Sequence, residues 1–258
     1  MRFVDTHCHL ALLHDDPVAQ TRVIDEAKRC GVSVIVNIST NLIDFFSSYK
    51  NTKNIPNIFH TVGLSPSEVN THSKDWVNKL EEGLTYEKIV GVGEIGLDYY
   101  HQYGDKKTQI ELFIKQLDIA SDHNLPVVIH NREAGNDMRD ILKSKKNVRG
   151  IMHCFSEDID FAKEMISLGF YISFAGNLTY RNAKNLHDVA RALPIESIII
   201  ETDSPFLSPN SKRKERNKPA NIVETAKYLA YLRGIDIETL SEILFQNSLK
   251  AFNITSLV

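Results

Sequence analysis

Short apolar runs alternate with longer amphipathic stretches along the chain. The runs are Phe3-Val4, Val32 to Ile38, Ile58 to Val62, Ile89 to Glu94, Pro126 to His130, Gly150 to His153, Phe170 to Phe174 and Ser197 to Asp203. They are short and rich in Val and Ile, and several are bounded by Gly, as expected of strands buried on both faces of a parallel sheet. Between them the period changes to that of a helix. Asp16 to Cys30 carries Val23, Ile24, Ala27 and Cys30 on one face and stops at Gly31. Asp105 to His123 is the longest stretch, with Ile110, Phe113, Ile114, Leu117 and Ala120 aligned. Further helices are predicted near Leu42 to Tyr49, Trp76 to Leu84, Met138 to Lys143, Phe161 to Ile166 and Ala183 to Ala192. Two more, Ile222 to Leu232 and Ile237 to Gln246, follow the last strand.

Eight strands alternating with helices over 258 residues predict an α/β fold, a (β/α)8 TIM barrel, as a single domain over residues 1–258. The rival is an open doubly wound sheet. It would want a Gly-rich phosphate fingerprint after its first strand, and Thr6-His7-Cys8-His9-Leu10 has no glycine.

The polar residues that interrupt these strands change the picture. His7 and His9 end the first strand, Glu94 the fourth, His130 the fifth, His153 the sixth and Asp203 the eighth. Residues two apart on an extended backbone share a face, so His7 and His9 converge while Cys8 points away. In a barrel the C-terminal strand ends gather at one mouth, where active sites form. Each residue alone has an ordinary explanation, such as a histidine bonded to a backbone carbonyl or an aspartate capping a turn. Four histidines and two carboxylates at the same end of five strands instead make the ligand set of a metal site. A pair of divalent ions about 3.5–4 Å apart is expected there. His14, His72, His101, His123 and His187 fall in loops or helices and are expected to be solvated, while His60, inside the third strand, reads as a core residue.

Composition narrows the function classes. Hydrophobic residues make up 42% of the chain, and no apolar run approaches the ~18 residues of a membrane span. Three cysteines, Cys8, Cys30 and Cys154, cannot all pair. With no signal-peptide pattern at the start, they predict free thiols in the cytoplasm. A net charge of -3 argues against a protein that coats nucleic acid. A local exception is Ser211-Lys212-Arg213-Lys214-Glu215-Arg216-Asn217-Lys218, with five positive charges against one negative. A loop that follows the eighth strand lies at the same mouth as the proposed metals.

The chain resembles the TatD family of metal-dependent deoxyribonucleases, of the amidohydrolase-like barrel superfamily. The resemblance rests on Phe3-Val4-Asp5-Thr6-His7-Cys8-His9-Leu10, on Pro126-Val127-Val128-Ile129-His130-Asn131-Arg132 and on Ile199-Ile200-Glu201-Thr202-Asp203-Ser204-Pro205. Gly93-Glu94-Ile95-Gly96-Leu97-Asp98-Tyr99, the Gln109/Phe113/Gln116 face, His153-Cys154-Phe155-Ser156 and Arg216-Asn217 with Pro219 also fit. The resemblance implies that His7, His9 and Asp203 hold one metal, His130 and His153 a second, and Glu94 bridges them. It also implies metal-dependent cleavage of DNA, from a 3′ end. Ala11, Ser65 and Glu157 depart from the family pattern, and none of them is an expected ligand.

The expected chemistry is hydrolysis by water activated at two divalent cations, with Zn, Mn or Mg as the candidates and Asp203 as general base beside Glu94. His-rich ligation suits Zn or Mn better than Mg. The expected partner is DNA, single-stranded or frayed at its ends, touched by Arg132, Lys212, Arg213, Lys214 and Lys218. An alternative is a hydrolase of a small amide, lactone or phosphoester built on the same barrel. Many such relatives bridge their metals with a carbamylated lysine, and Glu94 in that place favours the nuclease. A non-catalytic scaffold would have no need of six converging ligands.

Overall fold

In the computed structural model, which describes residues 1–257, eight parallel strands run β1 to β8 in sequence order around a nearly closed barrel. They are β1 (Phe3–Cys8), β2 (Val32–Asn37), β3 (Ile58–Val62), β4 (Ile89–Asp98), β5 (Val127–Arg132), β6 (Gly150–Met152), β7 (Phe170–Phe174) and β8 (Ile198–Ile200). The connecting helices are α1 (Leu10–Leu13), α2 (Pro17–Arg29), α3 (Leu42–Thr52), α4 (Trp76–Leu84), α5 (Lys106–Asp122), α6 (Gly135–Ser144), α7 (Ile159–Ser167) and α8 (Lys184–Ala192). Helices α9 (Ile222–Arg233) and α10 (Ile237–Ala251) complete the ring. Local chemistry starts several of these helices. Asp16, Asn41, Asp105, Asp158 and Asp236 each accept a backbone N–H of the first turn.

Neighbouring strand positions divide between two cores. Phe3, Ile35, Ile129, Met152, Ile198 and Ile200 pack with helix residues such as Ile24, Phe113, Met138 and Phe161. Val4, Val34, Val36, Val128, Ile151 and Ile199 share a second cluster with Phe245, Phe252 and Ile254. A cluster common to strands from around the sheet is the barrel interior, and the end of the chain closes it. Burial of both faces explains why the strands read as continuous apolar runs.

The seam between β8 and β1 is built differently from the other pairings. Thr6 Oγ1 donates to the Ile200 carbonyl at 2.8 Å, and the Asp5 carboxylate accepts from Thr202 N–H at 2.9 Å and Thr202 Oγ1 at 2.6 Å. Beyond the seam, Asp203 N–H donates to His7 O and His9 N–H to Ser204 O, both at 2.8 Å. These bonds, with the parallel bridge Cys8–Ser204, lock the two segments that carry His7, His9 and Asp203 to each other. Asp5 is fully buried, and burial pushes its carboxyl up to about 8 despite the Thr202 hydrogen bonds.

Most strand ends fall within two residues of the reading of the sequence, with His9 and His153 one residue past β1 and β6, but two differ by more. β8 stops at Ile200, so Asp203 lies beyond the strand, at φ 54°. β4 continues to Asp98, past the apolar run that ends at Glu94, because Ile95 and Leu97 pack outward while the chain stays paired with β5. Gly96 permits that approach: its φ is +145°, and any side chain there would run into the His130 carbonyl. No helix among the described residues is long and apolar enough to cross a membrane.

Candidate metal centre

His7, His9, Glu94, His130, His153 and Asp203 meet at the C-terminal mouth. Glu94 stands between two pairs of imidazoles. Its Oε2 lies 3.6 Å from His7 Nε2 and 3.7 Å from His9 Nε2, while Oε1 lies 2.9 Å from His130 Nδ1 and 3.2 Å from His153 Nε2. Asp203 Oδ1 is 3.4 Å from His9 Nε2 and 3.7 Å from His7 Nε2. Three groups, His7/His9/Glu94, Glu94/His130/His153 and His7/His153/Asp203, each place their ligand atoms within 4.8 Å of one another. Cys8 turns away into the outer core. A register shift in β1 between Asp5 and Cys8 sets this facing.

What lies behind three of the four histidines fixes which nitrogen each presents, whereas the buried Nδ1 of His7 has no hydrogen-bond partner among the described residues. His9 Nδ1 donates to the Ile38 carbonyl at 3.0 Å, His153 Nδ1 to Glu201 Oε1 at 3.1 Å and His130 Nε2 to Asp98 Oδ2 at 3.1 Å. With those protons committed outward, the inward nitrogens of the neutral rings carry lone pairs. His130 Nδ1 and His153 Nε2 then lie 3.3 Å apart and both face Glu94 Oε1, at 2.9 and 3.2 Å, while His9 Nε2 faces Asp203 Oδ1 at 3.4 Å. Acceptor facing acceptor is repulsive unless a cation or added protons lie between, so this donor set fits divalent metal. His7 is further held by stacking on His153, ring centroids 4.0 Å apart at 15°.

The electrostatics follow. Burial drives the His7 pKa down to about 3, and the neighbouring His153 adds to the effect. Burial also works against charge on His9, His130 and His153, yet each is shifted upward on balance. For His9 the hydrogen bond to Asp203 and the charge of Glu94 outweigh it; for His130, the bonds to Asp98 and Glu94; for His153, the charges of Glu94 and Glu201. Burial opposes ionisation of Glu94, but His153 and His130 hold its carboxyl well below the usual carboxylate range.

Asp98 and Glu201 were not among the site residues expected from the sequence. Asp98 also accepts from His101, N–H at 2.9 Å and Nδ1 at 2.7 Å, so His101 lines the site and is not simply solvated. Glu201 is buried and accepts from Cys154 N–H at 2.9 Å and from Ser173 Oγ at 2.5 Å. The available signal was a second carboxylate close behind a proposed ligand: Glu94 and Asp98, Glu201 and Asp203. His187 is another difference. It is buried, with Nε2 bonded to Leu178 O at 2.9 Å, because its face of α8 meets Tyr228 of α9. His60 is a core residue, as its strand position implied.

A cleft of about 560 Å³ opens above the cluster, lined by His9, Glu94, His130, His153 and Asp203 together with Arg132, Ser65, Ser67 and Asn177. Of the five residues expected to touch substrate, Arg132 lines it, with its guanidinium 5.0 Å from the centre of the Tyr100 ring. Lys212, Arg213, Lys214 and Lys218 lie outside the lining. Lys212 pairs with Glu215 at 3.3 Å, Arg213 sits 4.0 Å over Tyr180 and Lys218 pairs with Glu26 at 2.5 Å. Glu157 is turned to Asn131 Nδ2 at 2.9 Å and does not line the cleft. Arg216 donates to the carbonyls of Leu12 and Leu13, tying its loop to α1.

Fold and site together define a barrel hydrolase of the metal-dependent class. Residues 4–253 match the family described as TatD related DNase. An uncharacterized metal-dependent hydrolase of Buchnera aphidicola subsp. Baizongia pistaciae is 36% identical over 99% of this chain and 98% of its own length. The metal-dependent hydrolase YcfH of Escherichia coli K12 is 34% identical, over 98% and 97%. The crystal structure of YjjV, a TatD homologue from Escherichia coli K12, superimposes with a TM-score of 0.90 at 29% identity, covering 98% of both chains. The chain belongs to the TatD family and is a metal-dependent hydrolase.

Proposed function

We propose that this chain is a two-metal phosphodiesterase that removes nucleotides from the 3′ end of single-stranded or frayed DNA. The observation that carries the reading is Glu94, whose two oxygens face separate histidine pairs beneath a cleft that also receives Arg132. In this reading His7, His9 and Asp203 hold one divalent ion, His130 and His153 the other, and Glu94 is common to both. The imidazole-rich set suits Zn or Mn better than Mg. Such ions, when bound, lower the pKa of water towards ~7 and polarise a phosphoryl oxygen.

The remaining steps belong to the chain. Asp203 is nearly buried but reaches the cleft, and it accepts the proton of the attacking water. Arg132 binds a phosphate oxygen; its planar fork matches that geometry better than a point charge would. Glu201 and Asp98 keep His153 and His130 in the tautomers that present their inner nitrogens. Lys212, Arg213, Lys214 and Lys218 meet phosphates further along the strand, outside the cleft. The family description, TatD related DNase, supports nucleic acid as substrate. Three free cysteines suit a reducing cytoplasm.

The test is nucleotide release from 5′-labelled single-stranded DNA by Zn- or Mn-loaded protein, beside hydrolysis of small carboxylic and phosphate esters. Metal-dependent shortening from the 3′ end is expected, with Asp203→Asn slower by at least ~10²-fold. Metal-dependent ester turnover with no DNA cleavage would overturn the reading in favour of a small-substrate hydrolase.

A further inference from the structure

Aromatic side chains are among the large apolar groups that remain exposed, and two of them line the cleft. Phe206 is 51% exposed and Tyr103 41%. Phe206 stands beside the cluster, its ring 6.1 Å from that of His9 at 70°. Tyr103 stacks on His101, centroids 5.4 Å apart at 26°, and His101 is held by Asp98 at 2.7 Å. Phe206 follows β8 and Tyr103 follows β4. In a ring of eight strands in sequence order, the fourth and eighth are diametrically opposed, so the two rings flank the cluster from opposite sides.

Both are anchored by their backbones. Asn217 Nδ2 donates to Phe206 O at 2.6 Å and to Thr202 O at 2.8 Å, and Phe206 N–H donates to Asp203 O at 2.8 Å. Asn70 Nδ2 donates to Tyr103 O at 2.6 Å. Neither ring is on a free loop end. An exposed ring on a fixed backbone is an apolar surface already ordered for a flat ligand, so little entropy is lost when one stacks on it.

We infer that Phe206 and Tyr103 are base-stacking platforms, each taking one of the two nucleobases that flank the phosphate at the cluster. This rests on the nucleic-acid reading above and goes further, because it makes an unpaired two-nucleotide step the unit of recognition. Stacking on an aromatic face tolerates any base, since every base has a π-face. Two bases drawn to opposite walls cannot remain stacked on each other. A paired end must therefore fray before it enters, and the rings select single strands by geometry.

The experiment uses metal-loaded full-length protein and a single-stranded oligothymidylate, intact or carrying one abasic nucleotide at the last or the penultimate position. The wild-type kcat/KM is expected to fall about tenfold for each missing base. In Phe206→Ala the intact-to-abasic ratio should collapse towards one at one of the two positions, and in Tyr103→Leu at the other. Tyr103→Phe should restore the ratio, because the ring and not the hydroxyl carries the contact. Equal wild-type rates on intact and abasic strands would overturn the inference without any variant. So would variants that slow both strands alike and keep the wild-type ratio. Should the wild-type protein release nothing from any strand while hydrolysing small esters, the nuclease reading itself fails, and the platforms fail with it.

Discussion

At the scale of single residues, Glu94 has four imidazole nitrogens within 3.7 Å, two at each oxygen. Glu94→Gln keeps the volume but removes the charge that both histidine pairs face, so metal content and turnover should fall together. Full metal occupancy in that variant would exclude Glu94 as a shared ligand. Glu201→Gln acts one step back: it loosens His153 without touching the cluster, and metal affinity should drop about 10–100-fold; titration with Zn reads this directly. His60 provides a test independent of metal. Burial, with the Lys88 charge second, lowers its pKa to about 3. Asn37 Nδ2 is 3.3 Å from Nδ1, so the neutral ring accepts there and a second proton has no place. Below pH ~6.5 the unfolded chain takes up a proton that the folded chain refuses, and stability falls with pH towards the folded value. The loss reaches on the order of 4 kcal/mol by pH 3. His60→Gln should flatten the fall in urea-unfolding free energy between pH 6.5 and 4.5; an unchanged slope would mean that His60 is free to protonate in the folded state.

At the scale of elements, α5 positions two walls of the cleft with two glutamines on one helical face. Gln109 accepts from Asp98 N–H at 2.9 Å and donates to Asp98 O at 3.0 Å, and Gln116 does the same to Leu64 at 2.7 and 2.9 Å. Each side-chain amide stands in for a neighbouring strand. Gln109→Leu and Gln116→Leu should each leave a buried N–H and C=O unpaired, lowering stability by about 1–3 kcal/mol in denaturant titrations. Their effects on the site should differ. Gln109→Leu frees the Asp98 that holds His130 and should weaken metal binding, whereas Gln116→Leu shifts the Ser65 wall and should leave metal affinity intact. Equal metal affinities in the two variants would mean that Asp98 does not need α5. The same helix shows what the sequence could and could not reveal. Its apolar face was legible from spacing, and the six polar strand ends were legible because each broke an apolar run. Asp98 was not, because the outward-facing Ile95 and Leu97 carry β4 beyond the point where the run stops. Glu201 looked like one more residue of the last strand. A carboxylate that acts by holding a histidine is recognised only through its partner, and partners 48 residues apart, as in Glu201 and His153, have no spacing signature.

At the scale of the whole molecule, the six clustered residues come from β1, β4 and β5 and from the residues that follow β1, β6 and β8, so the cluster ties together strands spread around the barrel. The apolar interior is gathered with α10 and the end of the chain, whereas the mouth is lined by carboxylates and imidazoles. A cation held there binds only when those strands are assembled, so its binding free energy adds to folding. Protein saturated at about a hundred times the dissociation constant gains ~2.7 kcal/mol, which for a chain of this length is roughly 5–10 °C in Tm. Chelation should therefore lower the melting temperature by that amount, and Zn or Mn should restore it. The size of the rise tests the bridge, because it depends on the cluster and not on overall stability. Gln116→Leu should melt lower than wild type yet show the full metal-dependent rise, whereas Glu94→Gln should lose most of the rise whatever its baseline. Identical melting of chelated and metal-saturated wild-type protein would mean that the converging histidines do not bind metal strongly enough to brace the barrel.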